Sequence, residues 1–327
     1  MNQVKLGIIG LGNMGSGHCN NILAGLTPEI KLTAAADLRQ SRRDWAKETL
    51  PDDVVLFENG EQLIESGLCD AVIIATPHYE HPRLAILAFE HGLHVMSEKP
   101  AGVYTKQVRE MNEAAIRSDK VFGMMFNQRT NCVYRKMHEM VQSSKYGQIK
   151  RVNWIITDWY RTQAYYNSGG WRATWDGEGG GVLLNQCPHN LDLLQWICGL
   201  PCRVRAFCHN GKWHQIEVED DVTAYLEFPN GATGVFVTTT ADAPGTNRFE
   251  ITLERGKLVA EHDKLTFFEL EQSERDFCFT ATGGFEQPAG HEVTIELDGK
   301  NPQHVGVLNA FAGAILRGEP LVADGTE

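Results

Sequence analysis

Val4–Ile9, a nearly continuous apolar run, leads straight into Gly10-Leu11-Gly12-Asn13-Met14-Gly15, and a helix-compatible stretch follows at 17–26. No other feature of the 327-residue chain restricts its fold as strongly. An apolar run of this kind suits a strand covered on both faces. Three glycines spaced G-x-G-x-x-G between a strand and a helix have separate geometric uses. The first permits a tight turn, the second lets backbone approach an anion, and the third lets helix and strand pack closely. The amino end of the helix then stabilises negative charge.

The alternation continues to about residue 125. Strand-like runs lie at 33–36, 71–75, His94–Ser97 and 121–125, and helical stretches at 41–50, 82–91 and 105–117, with Gly92 placed as a C-cap. Strict β/α alternation predicts a doubly wound parallel sheet with right-handed crossovers, here over residues 1–125. In that frame Asp37 ends the second strand about 20 residues after the glycines, where a carboxylate accepts the ribose hydroxyls of a dinucleotide. Its charge disfavours a 2′-phosphate and so favours NAD. Arg39, Arg42 and Arg43 follow closely, and one of them can instead neutralise that phosphate and admit NADP.

Past residue 126 the pattern changes. A helix is expected at 133–143, an alternating strand at 150–159, and a helix ending at Gly199-Leu200-Pro201. Runs at 222–228 and 232–240 flank Pro229-Asn230-Gly231, a strong hairpin signal, and Arg255-Gly256 and Asp298-Gly299 suggest further turns. Strand after strand predicts a second α/β domain, residues 126–327, with a large, mostly antiparallel open sheet. The apolar-periodic run at 304–316 precedes Asp324-Gly325-Thr326-Glu327, which reads as a helix start, so the chain is expected to continue beyond residue 327.

Composition narrows the class. Asp plus Glu number 42 against 30 Lys plus Arg, a net charge of −12 that argues against nucleic acid and anionic membrane as partners. No apolar run approaches a membrane span, and the N-terminus lacks the apolar core of a signal peptide. Eight cysteines without a C-x-x-C pair suggest reduced thiols in a cytoplasmic protein. Neither zinc-ligand spacing nor a G-x-S-x-G nucleophile motif occurs, so no metal is expected.

Three further features carry chemistry. Glu98-Lys99-Pro100 follows the strand at 94–97, at the carboxyl end where such sheets hold ligands. A lysine there can donate to a substrate oxygen, and desolvation can bring its pKa toward a useful range. In the segment after Gly179-Gly180-Gly181, Asn185, His189 and Asp192 recur at helical spacing, though Pro188 either kinks one helix or begins another. His189 is the natural proton acceptor, and Asp192 reads as structural. Finally, Trp154, Trp159, Tyr160, Tyr165, Tyr166, Trp171 and Trp175 crowd into 154–175 with Asp158, Arg161 and Arg172 between them. Flat rings beside polar groups suit sugar recognition; Trp154, at an alternating strand position, is expected to pack the sheet instead.

In their order and spacing, the glycine turn at 10–15, Ala75-Thr76-Pro77 with His81, Glu98-Lys99-Pro100, and Gly179 through Asp192 resemble the Gfo/Idh/MocA oxidoreductase family. The resemblance covers nearly the whole chain. It implies a Rossmann domain and an open-sheet α/β domain, tightly held NAD(P), and homodimers or homotetramers joined through the sheets. It makes Lys99 catalytic together with His189, and the Lys99-Pro100 bond cis. It assigns cofactor contacts to Gly10, Gly12, Asn13, Met14, Asp37, Thr76, Pro77, His81, Glu98 and Lys99, and substrate contacts to Tyr160, Arg161, Trp171 and Arg172. The chain departs from the family at Asn185, where many members carry aspartate. An amide can hold a hydroxyl but takes no proton, so Asn185 is left a binding role.

The activity so implied is hydride transfer from a secondary CH–OH of a sugar, glycoside or cyclic polyol to NAD(P). Two alternatives stay open. One is a glycoside-cleaving enzyme that oxidises, eliminates and re-reduces, recycling its NAD. The other is a non-catalytic NAD(P)-dependent regulator, against which the presence of both Lys99 and His189 argues.

Overall fold

Buried on both faces, β1 (Val4–Ile9) is the middle of a fully parallel sheet. Its partners are β2 (Ile30–Ala36), β3 (Val55–Phe57), β4 (Ala71–Ile74), β5 (His94–Ser97) and β6 (Phe122–Met124), in the order β3-β2-β1-β4-β5-β6. The connecting helices are α1 (Asn13–Leu23), α2 (Gln40–Thr49), α3 (Gly60–Glu65), α4 (Glu80–Glu90) and α5 (Thr105–Ser118). This order reverses between β1 and β4, which puts the ligand crevice of a doubly wound sheet at the carboxyl ends of those two strands. The computed structural model describes residues 3–327.

The sequence reading placed the first five strands it found within two or three residues but passed over β3 and α3. Three residues carry no periodic signal, and α3 is fixed by a local cap: Asn59 accepts the Gln62 N–H. The first helix starts at Asn13, not at 17. The glycines there are poor helix formers, and packing of Gly15, His18, Cys19 and Ile22 into the core overrides that preference.

The second unit comprises Asn131–Trp175 and Gly180–Lys300. It begins with α6 (Cys132–Gln142) and β7 (Ile149–Ile156), then α7 (Gln163–Tyr166) and α8 (Pro188–Cys198). The strands β8 (Arg203–Asn210), β9 (Glu219–Glu227), β10 (Thr233–Thr239), β11 (Asn247–Leu253), β12 (Gly256–Glu261) and β13 (Lys264–Leu270) follow, then α9 (Glu274–Thr280) and β14 (Gly290–Val293). They form an eight-stranded sheet, β14-β13-β12-β11-β7-β10-β9-β8, antiparallel except for the β7–β10 pair. Gly231 (φ +86°) turns β9 into β10, the hairpin that Asn-Gly predicts. One sheet face is built from alternating Val152, Trp154 and Ile156 with Phe236, Phe249 and Ile251, and α6 and α8 cover it. Trp154 is fully buried and stacks on Phe249 at 4.1 Å, as its strand position predicts.

The last helix, α10 (Gln303–Arg317), belongs to the first unit, which comprises residues up to Thr130, Asp176–Gly179 and Asn301–Glu327. The sequence division had put everything after residue 125 in the second domain. Val307, Leu308, Phe311 and Ala312 of α10 enter the same core as Leu6, Ile8 and Leu11, and that burial brings the segment back. Two ties reinforce it. Arg317 grips the Glu29 carboxylate with two nitrogens at 2.5 and 2.9 Å, and Met124 N–H donates to Ala323 O at 3.1 Å.

Candidate active site

In the first unit the site is built where β1, β4 and β5 end. Gly10 has φ +93°, and a Cβ on it would sit 2.5 Å from Ala75 O, so only glycine fits the turn. A Cβ on Gly15 would sit 1.8 Å from Gly10 O, so α1 could not lie so close to the turn with any side chain there. Gly12 differs: its φ is ordinary and only Arg39 Nη2, 4.0 Å away, borders the space a Cβ would fill. Gly12 is also the N-cap of α1 and makes no side-chain cap bond, while Asn13 and Met14 are exposed. Thr76, after β4, has a buried Oγ1 without a hydrogen-bond partner among the described residues. An open backbone cradle at a helix N-terminus beside an orphaned hydroxyl fits a dinucleotide pyrophosphate.

Asp37 is buried at the end of β2. Its Oδ2 accepts the Leu11 N–H at 2.8 Å, and its Oδ1 accepts the Arg39 N–H at 2.9 Å. The Arg39 side chain leans on the same oxygen at 3.4 Å and remains mostly exposed. Two oxygens with about four acceptor positions retain capacity for ribose hydroxyls.

His81 has a different place from the cofactor contact that the family resemblance assigned to it. Its ring is buried, with Nδ1 2.7 Å from Pro100 O and Nε2 2.8 Å from Thr76 O. It therefore bolts the loop after β4 to the loop after β5, and burial pushes its pKa down. The Lys99-Pro100 peptide is cis, as the family resemblance implied.

Next to Lys99, Glu98 meets two histidines that sequence reasoning missed. Glu98 is buried, and His18 of α1 sits 2.8 Å from its Oε1. His304 of α10 meets the His18 ring edge-on at 5.6 Å. Burial pushes the Glu98 carboxyl up, but the His18 hydrogen bond and the charges of His18, Lys99 and His304 bring it to about 2. His304 is held below its ordinary value, chiefly by burial. His18 follows the glycine turn by three residues, yet nothing local connects it to position 98.

In the second unit, residues 179–192 do not form one helix. Pro188 takes the first helical position of α8, so His189 lies in its first turn and Asn185 in the irregular segment before it. Of the two readings that Pro188 left open, the second holds: a helix begins at the proline, His189 and Asp192 keep helical spacing within it, and Asn185 lies outside it. Glu219 sets this segment: its carboxylate accepts from Gly181 N–H at 2.9 Å and Leu183 N–H at 3.0 Å. A Cβ on Gly181 would lie 1.9 Å from Glu219 O, which explains the glycine. Asp192 is buried in α8.

The aromatic loop divides by environment. Tyr166 is buried and bonds Thr240 Oγ1 at 2.8 Å; Trp159 is partly buried and donates to Asn190 at 3.1 Å. Tyr160 and Trp175 are about half exposed. Tyr165 is the hub: its hydroxyl receives Arg172 Nη1 at 2.8 Å, Gln186 Nε2 at 3.2 Å and Asn185 Nδ2 at 3.5 Å. A buried Asp220–His214 pair, 2.9 Å apart, braces the loop through His214 Nε2 to Arg161 O.

Neither of two cleft-like cavities coincides with these groups. The smaller, about 340 Å³, is lined by Cys69, Asp70, His94 and Lys120, at the amino ends of β4 and β5. Among the described residues no cluster of three or more His, Cys, Asp or Glu could hold a metal ion, and no helix is long and apolar enough to cross a membrane.

Comparison with known proteins agrees with this architecture. Residues 4–126 match the oxidoreductase family with an NAD-binding Rossmann fold, and residues 134–259 match a Gfo/Idh/MocA C-terminal domain. The chain is 24% identical over 279 residues to the myo-inositol 2-dehydrogenase of Thermotoga maritima, covering 84% of this chain and 80% of that one. It is 27% identical over 225 residues to the D-glucoside 3-dehydrogenase of Escherichia coli, covering 62% of this chain and 61%, under two-thirds, of that one. A solved WlbA dehydrogenase from Bordetella pertussis in complex with NADH and UDP-GlcNAcA superposes with a TM-score of 0.81 at 23% identity, over 99% of this chain and 92% of that one. With both domains matched in order along the chain, the protein belongs to the Gfo/Idh/MocA family of NAD-binding oxidoreductases.

Proposed function

We propose that the protein is an NAD-dependent dehydrogenase of a secondary alcohol in a sugar, glycoside or cyclic polyol, with Lys99 and His189 as its acid–base groups. The observation that carries this reading is the seat of Lys99. It follows β5 at the carboxyl end of the parallel sheet, partly buried, and next to a buried carboxylate held in its ionised form. As the neutral amine Lys99 can take the proton of the reacting hydroxyl as the hydride leaves, and as the ammonium it returns that proton to the carbonyl oxygen in the reverse direction. His189, in the first turn of α8, is the second acid–base group. Asn185 holds the hydroxyl without titrating, and Tyr160, Arg161, Trp171 and Arg172 bind the rest of the substrate. Nicotinamide supplies the hydride acceptor when bound. Gly10, Gly12, Asn13, Met14, Thr76 and Pro77 cradle its dinucleotide, Asp37 selects NAD over NADP, and His81 and Glu98 hold the loops on which these contacts depend.

Substrate class is supported by the relatives, which are named for inositol, glucosides and levoglucosan. The test is a screen of sugars, glycosides and cyclic polyols with NAD, read by NADH absorbance, on wild type and Lys99→Met. Loss of a general acid–base group lowers kcat/KM by roughly 10²–10⁴-fold. A Lys99→Met enzyme within about tenfold of wild type removes Lys99 from the mechanism. Glycoside cleavage without net NADH would reassign the protein to the recycling reaction.

A further inference from the structure

Two arginines around Tyr165 have no counter-charge. Arg161 Cζ lies 5.1 Å and Arg172 Cζ 4.7 Å from the centroid of the Tyr165 ring. Arg161 Cζ also lies 5.7 Å from the Trp159 ring centroid, and Arg172 Cζ 4.7 Å from that of Trp171. Neither guanidinium has a carboxylate within 4.0 Å among the described residues, and each sits against two aromatic rings. In a chain of net charge −12, these two cations share one ring without an ion pair.

Arg172 spends one N–H on the Tyr165 hydroxyl, and Arg161 one nitrogen on the carbonyls of Trp159 and Tyr160. Each guanidinium has five N–H donors, so most remain unspent. The Asn185 and Gln186 amides also direct their NH₂ groups to the Tyr165 oxygen. Two guanidinium groups with unspent donors suit a ligand that brings acceptors and negative charge. A guanidinium fork matches carboxylate or phosphate oxygens in pairs.

We infer that the substrate is an acidic sugar, one whose ring carries a carboxylate or a phosphate that Arg161 and Arg172 bind. Tyr165 couples that anion pocket to Asn185, the residue assigned to the reacting hydroxyl, so the inference rests on the dehydrogenase reading and adds a substrate class to it.

The experiment compares neutral and anionic members of one sugar series with NAD: D-glucose, D-glucuronate and D-glucose 6-phosphate, then the galactose set. At least one anionic member should exceed its neutral partner by about 100-fold in kcat/KM, two charge-assisted hydrogen-bonding sites contributing about tenfold each. Uronate preference identifies a carboxylate, and sugar-phosphate preference a phosphate. Arg161→Gln and Arg172→Gln should each raise KM for the acidic substrate about tenfold more than KM for the neutral sugar, with Arg→Lys recovering part of the loss. Raising NaCl from about 20 to about 200 mM should weaken only the anionic substrate, a readout that needs no variant to fold. Equal turnover of neutral and acidic sugars, or a preference that survives the double replacement, overturns the inference. If no sugar yields NADH, the dehydrogenase reading fails. The anion pocket is then judged by calorimetric titration of NADH-loaded protein with D-glucuronate and glucose 6-phosphate. Binding that Arg161→Gln/Arg172→Gln abolishes supports the pocket, and absence of binding overturns it.

Discussion

His18 Nε2 lies 2.8 Å from Glu98 Oε1, and both side chains are almost completely buried. The contact ties α1, the helix at the phosphate-binding turn, to the residue preceding Lys99. It also sets the ionisation of Glu98, whose carboxyl falls from the ordinary 4.5 to about 2 despite its burial. A folded-state pKa below the unfolded value means that ionised Glu98 stabilises the fold above about pH 4.5, and that this contribution is lost as pH falls toward 2. Glu98→Gln should therefore cost about 1–3 kcal/mol near neutral pH, and its thermal midpoint should converge on that of wild type as pH drops. Midpoints that stay equally far apart from about pH 7 to about pH 2.5 would contradict this account of the pair.

The glycines of the turn should separate stability from cofactor binding. Gly15→Ala forces a methyl into Gly10 O and should cost about 1–3 kcal/mol or more. Gly12→Ala meets nothing closer than 4.0 Å and should cost less than about 1 kcal/mol, while NAD affinity falls about tenfold or more. Thermal melts and fluorescence titration with NADH measure the two effects. Unchanged NADH binding by Gly12→Ala would mean that the open space at this turn is not the cradle.

His189 and Asn185 should differ in which kinetic constant they control. His189→Ala should lower kcat by roughly 10²–10⁴-fold and flatten the pH–rate profile. Asn185→Ala should mainly raise KM, because an amide binds but does not titrate. A pH profile altered by the Asn185 variant alone would reverse these roles.

Asp37→Ala should weaken NAD binding far more than NADP binding. The carboxylate also anchors Leu11 N–H, so wild-type melts must accompany the titrations. A wild-type protein that already prefers NADP would transfer the selection to Arg39, whose side chain already leans on Asp37.

Two tryptophans from one aromatic segment should behave as different residues. Trp154→Ala removes a fully buried ring stacked on Phe249 and should cost about 3–5 kcal/mol. Trp175→Ala, at 48% exposure, should stay within about 0.5 kcal/mol of wild type. Equal losses in chemical denaturation would show the loop to be part of the core.

Legibility tracked the range of the interaction. Gly10, Gly12 and Gly15 were readable because a turn's φ angles and the approach of a helix to its own strand are settled within a few residues. Asn230-Gly231 announced the β9–β10 hairpin for the same reason. The seat of Lys99 followed from period and order alone, since alternating strands and helices leave one chirality for the crossovers. By contrast, spacing did not decide whether Asn185 shares a helix with His189 and Asp192, and the structure places it outside α8. Glu219, a strand residue more than thirty positions away, holds the Gly181–Leu183 backbone in a turn that spacing cannot encode.

What the sequence by itself determined is thus the β–turn–α phosphate site, the two-part α/β plan and the residue types available for proton transfer, all written in local backbone preference and periodicity. Tertiary structure alone decided which distant groups meet: His18 with Glu98, α10 with the core under β1, and Arg161 and Arg172 with Tyr165. Such meetings depend on the burial and packing of whole faces, on where apolar area leaves water and which polar groups must then find partners. No stretch of neighbouring residues carries that information.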